Sequence, residues 1–233
     1  MWRYHINHNL EYLKHMNEVK LLGYYGSDLT HAQSAWTSTV RDLNEEKIKR
    51  IPSLLKMLAE NKHHSVFEKS SLHFLVTSDI ASHIHLLKHR IGVSINAESA
   101  RYKELKEDKT YTPEDWEGAR ILSLKGGDPN MTWKRLLEIY TDLGNTYYHA
   151  CIKDLEPILG RKRAKESARF FKTYNSQIDC DVMFNWRSFY HFLNLRNKSD
   201  AQKEIREIAT EMLNLIKNLE GNPFQYTIEA FNL

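Results

Sequence analysis

Residues 88–105, KHRIGVSINAESARYKEL, bring together Lys88, His89, Arg90 and Arg101 as cations or proton carriers and Ser94, Asn96, Ser99 and Tyr102 as short polar groups. Guanidinium forks and hydroxyls are the groups that grip phosphate and planar carbonyls, and Gly92 lets backbone approach a ligand closely. No apolar period repeats within the stretch, so it reads as a site and not as core. A solvated basic loop is the competing reading, but such a loop has no need of Ser94, Asn96 and Ser99 set among arginines and an aromatic ring.

The flanking sequence supplies elements to hold this stretch. Residues from Val19 read as a strand ending at Gly26-Ser27-Asp28, with Ser27 or Asp28 suited to cap a short helix. A helix is expected from about Glu45 to Asn61, with Ile48, Ile51, Leu54, Leu55 and Leu58 on one stripe and a kink or late start near Pro52. Leu72, Phe74 and Val76 alternate with His73, Leu75 and Thr77 as in a strand. Asp79 then caps a helix whose Ile80, Ile84, Leu87 and Ile91 form a stripe, which puts 88–105 at a helix C-terminus and in the loop beyond. His85, one turn before His89, shares its face. Residues 106–130, broken by Gly118, Gly126-Gly127 and Pro129, read as a long ordered loop. A helix from Thr132 to Leu155 follows, with Leu136, Tyr140, Leu143, Tyr147 and Cys151 as a stripe for core or subunit interface. Another helix spans Arg161 to Phe171 and a second strand Ser176 to Phe184. In a helix running from Arg187, Arg196 would point nearly opposite to Arg187 and His191, at about 100° per residue. The last helix packs through Ile205, Ile208, Met212, Leu215, Ile216 and Leu219 and is stopped by Gly221 and Pro223.

Composition narrows the function classes. A chain of 233 residues with 41% hydrophobic content can bury a core of its own. Nothing resembles a signal peptide or a membrane span, so a cytoplasmic protein is expected. With 33 basic against 30 acidic residues the net charge is +3, too mild for a nucleic-acid module; in that rival reading Tyr102 or Trp186 would be stacking platforms. His5, His8 and His15 invite a metal, but no carboxylate or cysteine stands at ligand spacing, and none is expected. Cys151 and Cys180 form no C-x-x-C pair; Cys151 falls on an apolar helix face, and Cys180 lies between Asp179 and Asp181, whose charges oppose a thiolate.

The same residues carry a family likeness. His89-Arg90 followed by Ser94-x-Asn96-x-x-Ser99-x-Arg101-Tyr102 resembles the signature of the flavin-dependent thymidylate synthases, usually R-H-R and then S-x-N-E-x-S-x-R-Y. Lys88 stands for the first Arg, Ala97 takes the Glu position with Glu98 one place later, and one extra residue separates Arg90 from Ser99. His63-x-Ser65-x-Phe67-Glu68 resembles the family's H-x-S/T-P-F-E-H, twenty residues before Lys88, as in the family. Ala168-Arg169 is similar to the start of A-R-x-x-L-P without the Leu-Pro. Asn185-Trp186-Arg187-Ser188, running on to Leu193-Asn194-Leu195-Arg196 and Ala201-Gln202-x-Glu204-Ile205-Arg206, resembles the block that closes these enzymes.

The resemblance covers about 19–219 and implies an α+β fold: a central antiparallel sheet flanked by a long helix bundle, one domain over 19–233 after an extension at 1–18. It implies reductive methylation of dUMP, with methylenetetrahydrofolate as carbon donor and FAD, reduced by NADPH, as hydride source. No Gly-rich dinucleotide turn is present, so side chains and element ends would grip the flavin. By the likeness, FAD meets Ser65, Lys88, His89, Arg90, Glu98, Asn185, Arg187 and His191. The nucleotide meets His85, Lys88, Glu98, Ser99, Ala100, Arg101, Arg169 and Arg196. Arg196 matches the catalytic arginine. Ser99 sits where a nucleophile would, and its lack of an adjacent base suits it to binding and orienting. His63 borders the folate or nicotinamide entry. Family members are homotetramers with sites shared between subunits. The departures at His85, Lys88 and Ala97 leave open a methylase or hydroxymethylase of another pyrimidine nucleotide such as dCMP.

Overall fold

Two-residue alternation builds the sheet. In the computed structural model, which describes residues 16–123 and 128–233, strand β1 (Glu18–Tyr25) leads through Gly26 and an Ser27 N-cap into helix α1 (Asp28–Trp36). Helices α2 (Glu45–Lys49) and α3 (Ile51–Glu60) follow, then a 3₁₀ turn at His64–Glu68, β2 (Ser71–Asp79), α4 (Ile80–Leu87) and β3 (Val93–Ala97). The chain continues through α5 (Trp133–Leu159), α6 (Arg161–Ala168), a 3₁₀ turn at Arg169–Phe171, β4 (Gln177–Phe184), α7 (Trp186–Arg196), α8 (Lys203–Lys217) and α9 (Gln225–Ala230). His5, His8, His15 and the Gly126-Gly127 break lie outside the described residues. Among the described residues no helix is long and apolar enough to cross a membrane.

The four strands pair antiparallel in the order β1-β2-β4-β3. Register puts Phe74 opposite Val182 and Ile95 opposite that same Val182, so one apolar row runs across the sheet. Leu72, Phe74, Val76, Cys180, Val182 and Phe184 are buried on this face, with Val93, Ile95 and Ala97 of β3 packed against them. Helices α1, α3, α7, α8 and α9 cover it through side chains such as Leu55, Trp186, Met212 and Phe231. The fold is α+β, an antiparallel sheet flanked by helices. A smaller cluster of Tyr148, Ile152 and Ala168 joins α5 to α6.

Several elements depart from expectation. β3 occupies part of what reads as a loop: Val93, Ile95 and Ala97 turn inward while Ser94 and Asn96 face solvent. The helix expected over 45–61 breaks at Arg50, because Pro52 belongs in the first turn of α3, and Ile48 is left exposed. In α4 the buried residues are Ser82, His83 and Leu86, and Ile84, Leu87 and Ile91 face outward. α5 reaches Leu159, with Pro157 in its final turns, and buries Thr141, Asn145, Tyr148 and Ile152 while Tyr140 and Tyr147 are exposed. The helix expected to reach Phe171 tightens to 3₁₀ after Ala168, and Cys151 is half-buried at the edge of the smaller cluster.

One long-range contact closes the helical layer. The Asp28 carboxylate accepts from the Tyr226 and Thr227 backbone N–H groups, each at 2.8 Å, and from the Thr227 hydroxyl at 2.6 Å. These amides belong to the first turn of α9, where N–H groups lack intrahelical partners. Burial pushes the Asp28 carboxyl above its usual range, opposed by these three donations. Asp28→Ala is expected to orphan buried donors and cost about 3 kcal/mol, a fall of about 10 °C in Tm for a chain of this size. Thermal unfolding of the variant beside the parent measures it.

Candidate functional site

The junction of α4, β3 and α7 is built around Gly92. At φ +67 its backbone is in the left-handed region, and a Cβ there would meet Asn185 Nδ2 at 2.6 Å. The Gly92 carbonyl accepts from the Ser188 hydroxyl at 2.7 Å and the Asn185 backbone N–H at 3.3 Å. Asn185 also caps α7, its side-chain oxygen accepting from Ser188 N at 2.9 Å. Asn185 and Ser188 therefore do two tasks, starting α7 and holding the Lys88–Gly92 turn against it.

That turn delivers His89 to α7. His89 is 7% exposed, edge-on to Phe192 with ring centroids 5.0 Å apart and to His191 at 6.0 Å. Arg196 Nε donates to its Nε2 at 3.0 Å. Burial, and then the charges of Arg196, His191 and His85, push the imidazole down to about 4. His89 is thus a neutral ring whose Nε2 accepts, which assigns its proton to Nδ1. Arg196 and His191 flank this one ring, so the expected opposition of their side chains does not hold. Projection along the helix omitted the reach of the arginine stem and the inward turn of His89.

Around this junction stand the other residues of the near end. Lys88, Arg90 and His191 are exposed and His85 is half-buried. Arg187 Nη1 donates to Glu68 Oε1 at 2.5 Å, tying α7 to the 3₁₀ turn that also presents Ser65. His63, exposed, precedes that turn, while His64 packs edge-on against Tyr190 and Phe231. Cations thus exceed carboxylates here, an arrangement suited to an anionic ligand. Glu68 and Ser188 were named in the sequence only as motif positions; their parts in holding the site follow from the geometry.

The remaining predicted residues gather at the other end of β3. Glu98 N donates to Asp179 O at 2.8 Å, and Asp179 N donates to Glu98 Oε2 at 3.1 Å. Lys103 Nζ donates to the other carboxylate oxygen. Glu98 is therefore pinned to β4. Ser99 heads a turn whose Tyr102 and Lys103 N–H groups donate to its carbonyl, and its hydroxyl accepts from Arg101 N at 3.3 Å. Ala100 is half-buried within this turn. Arg101 Nε donates to Glu166 Oε1 at 2.5 Å, and Lys165 Nζ donates to the Tyr102 carbonyl at 2.6 Å. Arg169, exposed, opens the 3₁₀ turn after α6.

Gly92 and Glu98 are six residues apart in extended chain, a span of about 20 Å. Within one protomer the structure brings His89, His191 and Arg196 into contact and holds Asn185 and Ser188 against Gly92, with Lys88 and Arg90 on either side of His89, while Ser99, Ala100 and Arg101 follow the far end of β3. Cys180 offers no nucleophile, since burial and then Asp181 and Asp179 push its thiol up to about 12. Among the described residues no cluster of three or more His, Cys, Asp or Glu could hold a metal ion.

The pH dependence of the His89 contact follows in sign from its lowered pKa. The folded state favours the neutral ring, so the stabilisation is complete above an unfolded value near 6.5 and is lost as pH falls toward about 4. The contribution is about 3 kcal/mol at most. His31, buried and pushed down to about 3, acts in the same direction. Tm measured from pH 7 to pH 4 should therefore fall less steeply in His89→Gln than in the parent; equal slopes would remove His89 from the account.

Residues 20–219 match the family model described as thymidylate synthase complementing protein. A flavin-dependent thymidylate synthase of Thermosipho africanus is 32% identical over 218 residues, spanning 91% of this chain and 90% of that one. One from Kosmotoga olearia is 30% identical over 206 residues, spanning 86% and 85%. Among solved structures, the UMP/dUMP methylase PolB from Streptomyces cacaoi, bound with 5-Br UMP, superposes with a TM-score of 0.71 at 26% identity, covering 93% of each chain. A family match across most of the chain, with relatives alike over nearly their full length, places this enzyme in the thymidylate synthase complementing family, the flavin-dependent thymidylate synthases.

Proposed function

We propose that this enzyme methylates carbon 5 of dUMP to give dTMP in the cytoplasm, with methylenetetrahydrofolate as carbon donor and NADPH as reductant of a bound FAD. The observation that carries this is the junction at Gly92, where cations, hydrogen-bond donors and a neutral buried His89 converge on α7. The donor set fits FAD: Lys88, Arg90, Arg187 and His191 suit a diphosphate, Ser65 adds a hydroxyl, and Asn185, whose amide fills the space beside Gly92, holds the turn that carries Lys88 and Arg90. Bound there, the flavin supplies the hydride that reduces the transferred carbon.

The protein's residues do the rest. Arg196, held at Nε by His89, keeps its other N–H donors for the uracil carbonyl edge, where its charge favours the ring deprotonated at N3. A neutral His89 orients that guanidinium without repelling it. Arg101 and Arg169 bind the phosphate; Ser99, already accepting from Arg101 N, orients the nucleotide. Glu98 holds the end of β3 in place, and Ala100 lines the turn. His85 and Lys88 meet the pyrimidine. His63 borders the folate or nicotinamide approach. Because the nucleotide set divides between the two ends of β3, the reading calls for a homotetramer in which one protomer's near end faces another's far end.

Purified protein should be yellow and release FAD on denaturation; NADPH with dUMP should bleach it, and dTMP should form when the folate is added. A colourless protein that takes up no FAD would overturn the reading, and turnover of dCMP in place of dUMP would overturn the substrate. Arg196→Ala should lower kcat roughly a hundredfold with a smaller effect on nucleotide KM. Near-parental turnover with only a lower Tm would leave Arg196 as a cation on a helix C-terminus. Ser99→Ala should retain turnover with weakened dUMP binding, an outcome that a trapped Ser99–pyrimidine adduct would contradict.

A further inference from the structure

Arg101 and Arg169 stand on different elements, and an ionic contact joins the segments that follow them. Lys172 follows the 3₁₀ turn opened by Arg169, and its side chain is 4% exposed. Its Nζ donates to Asp108 Oδ1 at 2.5 Å and to Asn145 Oδ1 at 2.8 Å, and lies 4.4 Å from the centre of the Tyr148 ring. Tyr148 is fully buried, and its hydroxyl accepts from Leu105 N at 3.0 Å. Asp108 also faces His149 Nε2 at 3.0 Å, and the other nitrogen of that ring lies 3.4 Å from Glu104, which pairs with Arg161 at 2.7 Å. Glu104, Leu105 and Asp108 thus fasten this segment to α5, to Arg161 of α6 and to Lys172 after the Arg169 turn. Asp108 holds φ +48, a left-handed conformation that aspartate tolerates better than most residues with a side chain.

A buried ammonium persists only when paired, so Lys172 and Asp108 move as one body. Asp108 is seven residues from Arg101, and Lys172 is three from Arg169. We propose that Lys172 and Asp108 are a positioning pair for the nucleotide, fixing the spacing at which Arg101 and Arg169 grip one phosphate. This rests on the nucleotide assignment above. Lys172 stands where the resembled A-R-x-x-L-P motif has Leu, so the device belongs to this chain's own residues.

Lys172→Met, Lys172→Arg and the double variant Lys172→Leu/Asp108→Asn test it, each assayed for bound flavin, dUMP affinity, KM and kcat. Lys172→Met should raise the dUMP KM and Kd about tenfold with kcat little changed and with flavin content, which reports on the other end of β3, as in the parent. Lys172→Arg should recover most of the affinity. The double variant leaves no charge buried alone and so decides the matter should Lys172→Met fail to fold: weakened dUMP binding supports the positioning role, and parental affinity with only a shifted Tm overturns it. A parent protein that holds flavin but binds no pyrimidine nucleotide overturns the site assignment itself, and this pair's role with it.

Discussion

Phe189 lies almost flat against Phe74, rings 5.7 Å apart and 27° from parallel, and this contact sets the rotation of α7 about its axis. Phe184 meets both Phe189 and Phe192, at 5.7 and 5.3 Å. Close-packed aromatic surface of this kind resists small rotations, because each ring already fills the space beside the next. With α7 so seated, the backbone positions of Arg187, His191 and Arg196 are fixed. The apolar row of β2 and β4 therefore determines where the polar groups of the near end stand, although none of its side chains is chemically active.

The two ends of β3 solve opposite electrostatic problems. At the near end the cations are incompletely answered, with Glu68 against Arg187 and a neutral ring against Arg196, which leaves attraction for an incoming anion. At the far end Arg101 is matched by Glu166, Lys103 by Glu98, Arg161 by Glu104 and Lys172 by Asp108. The exposed pairs contribute little stability. What they fix is where a turn of irregular backbone lies relative to the helices beside it.

Period-2 and period-3.6 patterns made β2, β4, α8 and the Asp79 cap legible, because each has one face in the core and one outside it. β3 was hidden for a related reason. Its inward residues are only Val93, Ile95 and Ala97, and the polar residues between them are the ones that suggest chemistry. Periodicity finds an apolar stripe without saying what covers it, so Ile84 and Leu87 of α4 with Ile91 beyond it, or Tyr140 and Tyr147 of α5, could not be told from core. The candidate site residues were singled out by type and spacing through the family motifs. Their division along β3 was not, since sequence distance through an extended strand carries no mark of what lies at either end. The contact between His89 and Arg196, 107 positions apart, depends on how the chain turns at Gly92.

The Asp28 cap on α9 joins residues 198 positions apart, and this bears on the order in which the molecule assembles. A helix of six residues cannot persist alone in water, because the cost of its first turn is never recovered. α9 must therefore wait for α1, and the Asp28 carboxylate stays in water until α9 arrives. During vectorial synthesis the segment bearing Asp28 emerges long before Thr227, so the helical layer over Phe67 and Trp186 stays open until most of the chain is made. Closure is then a single non-local event, the kind that loop-closure entropy makes slow, and the aromatic seat of α7 is exposed to chaperones until it happens.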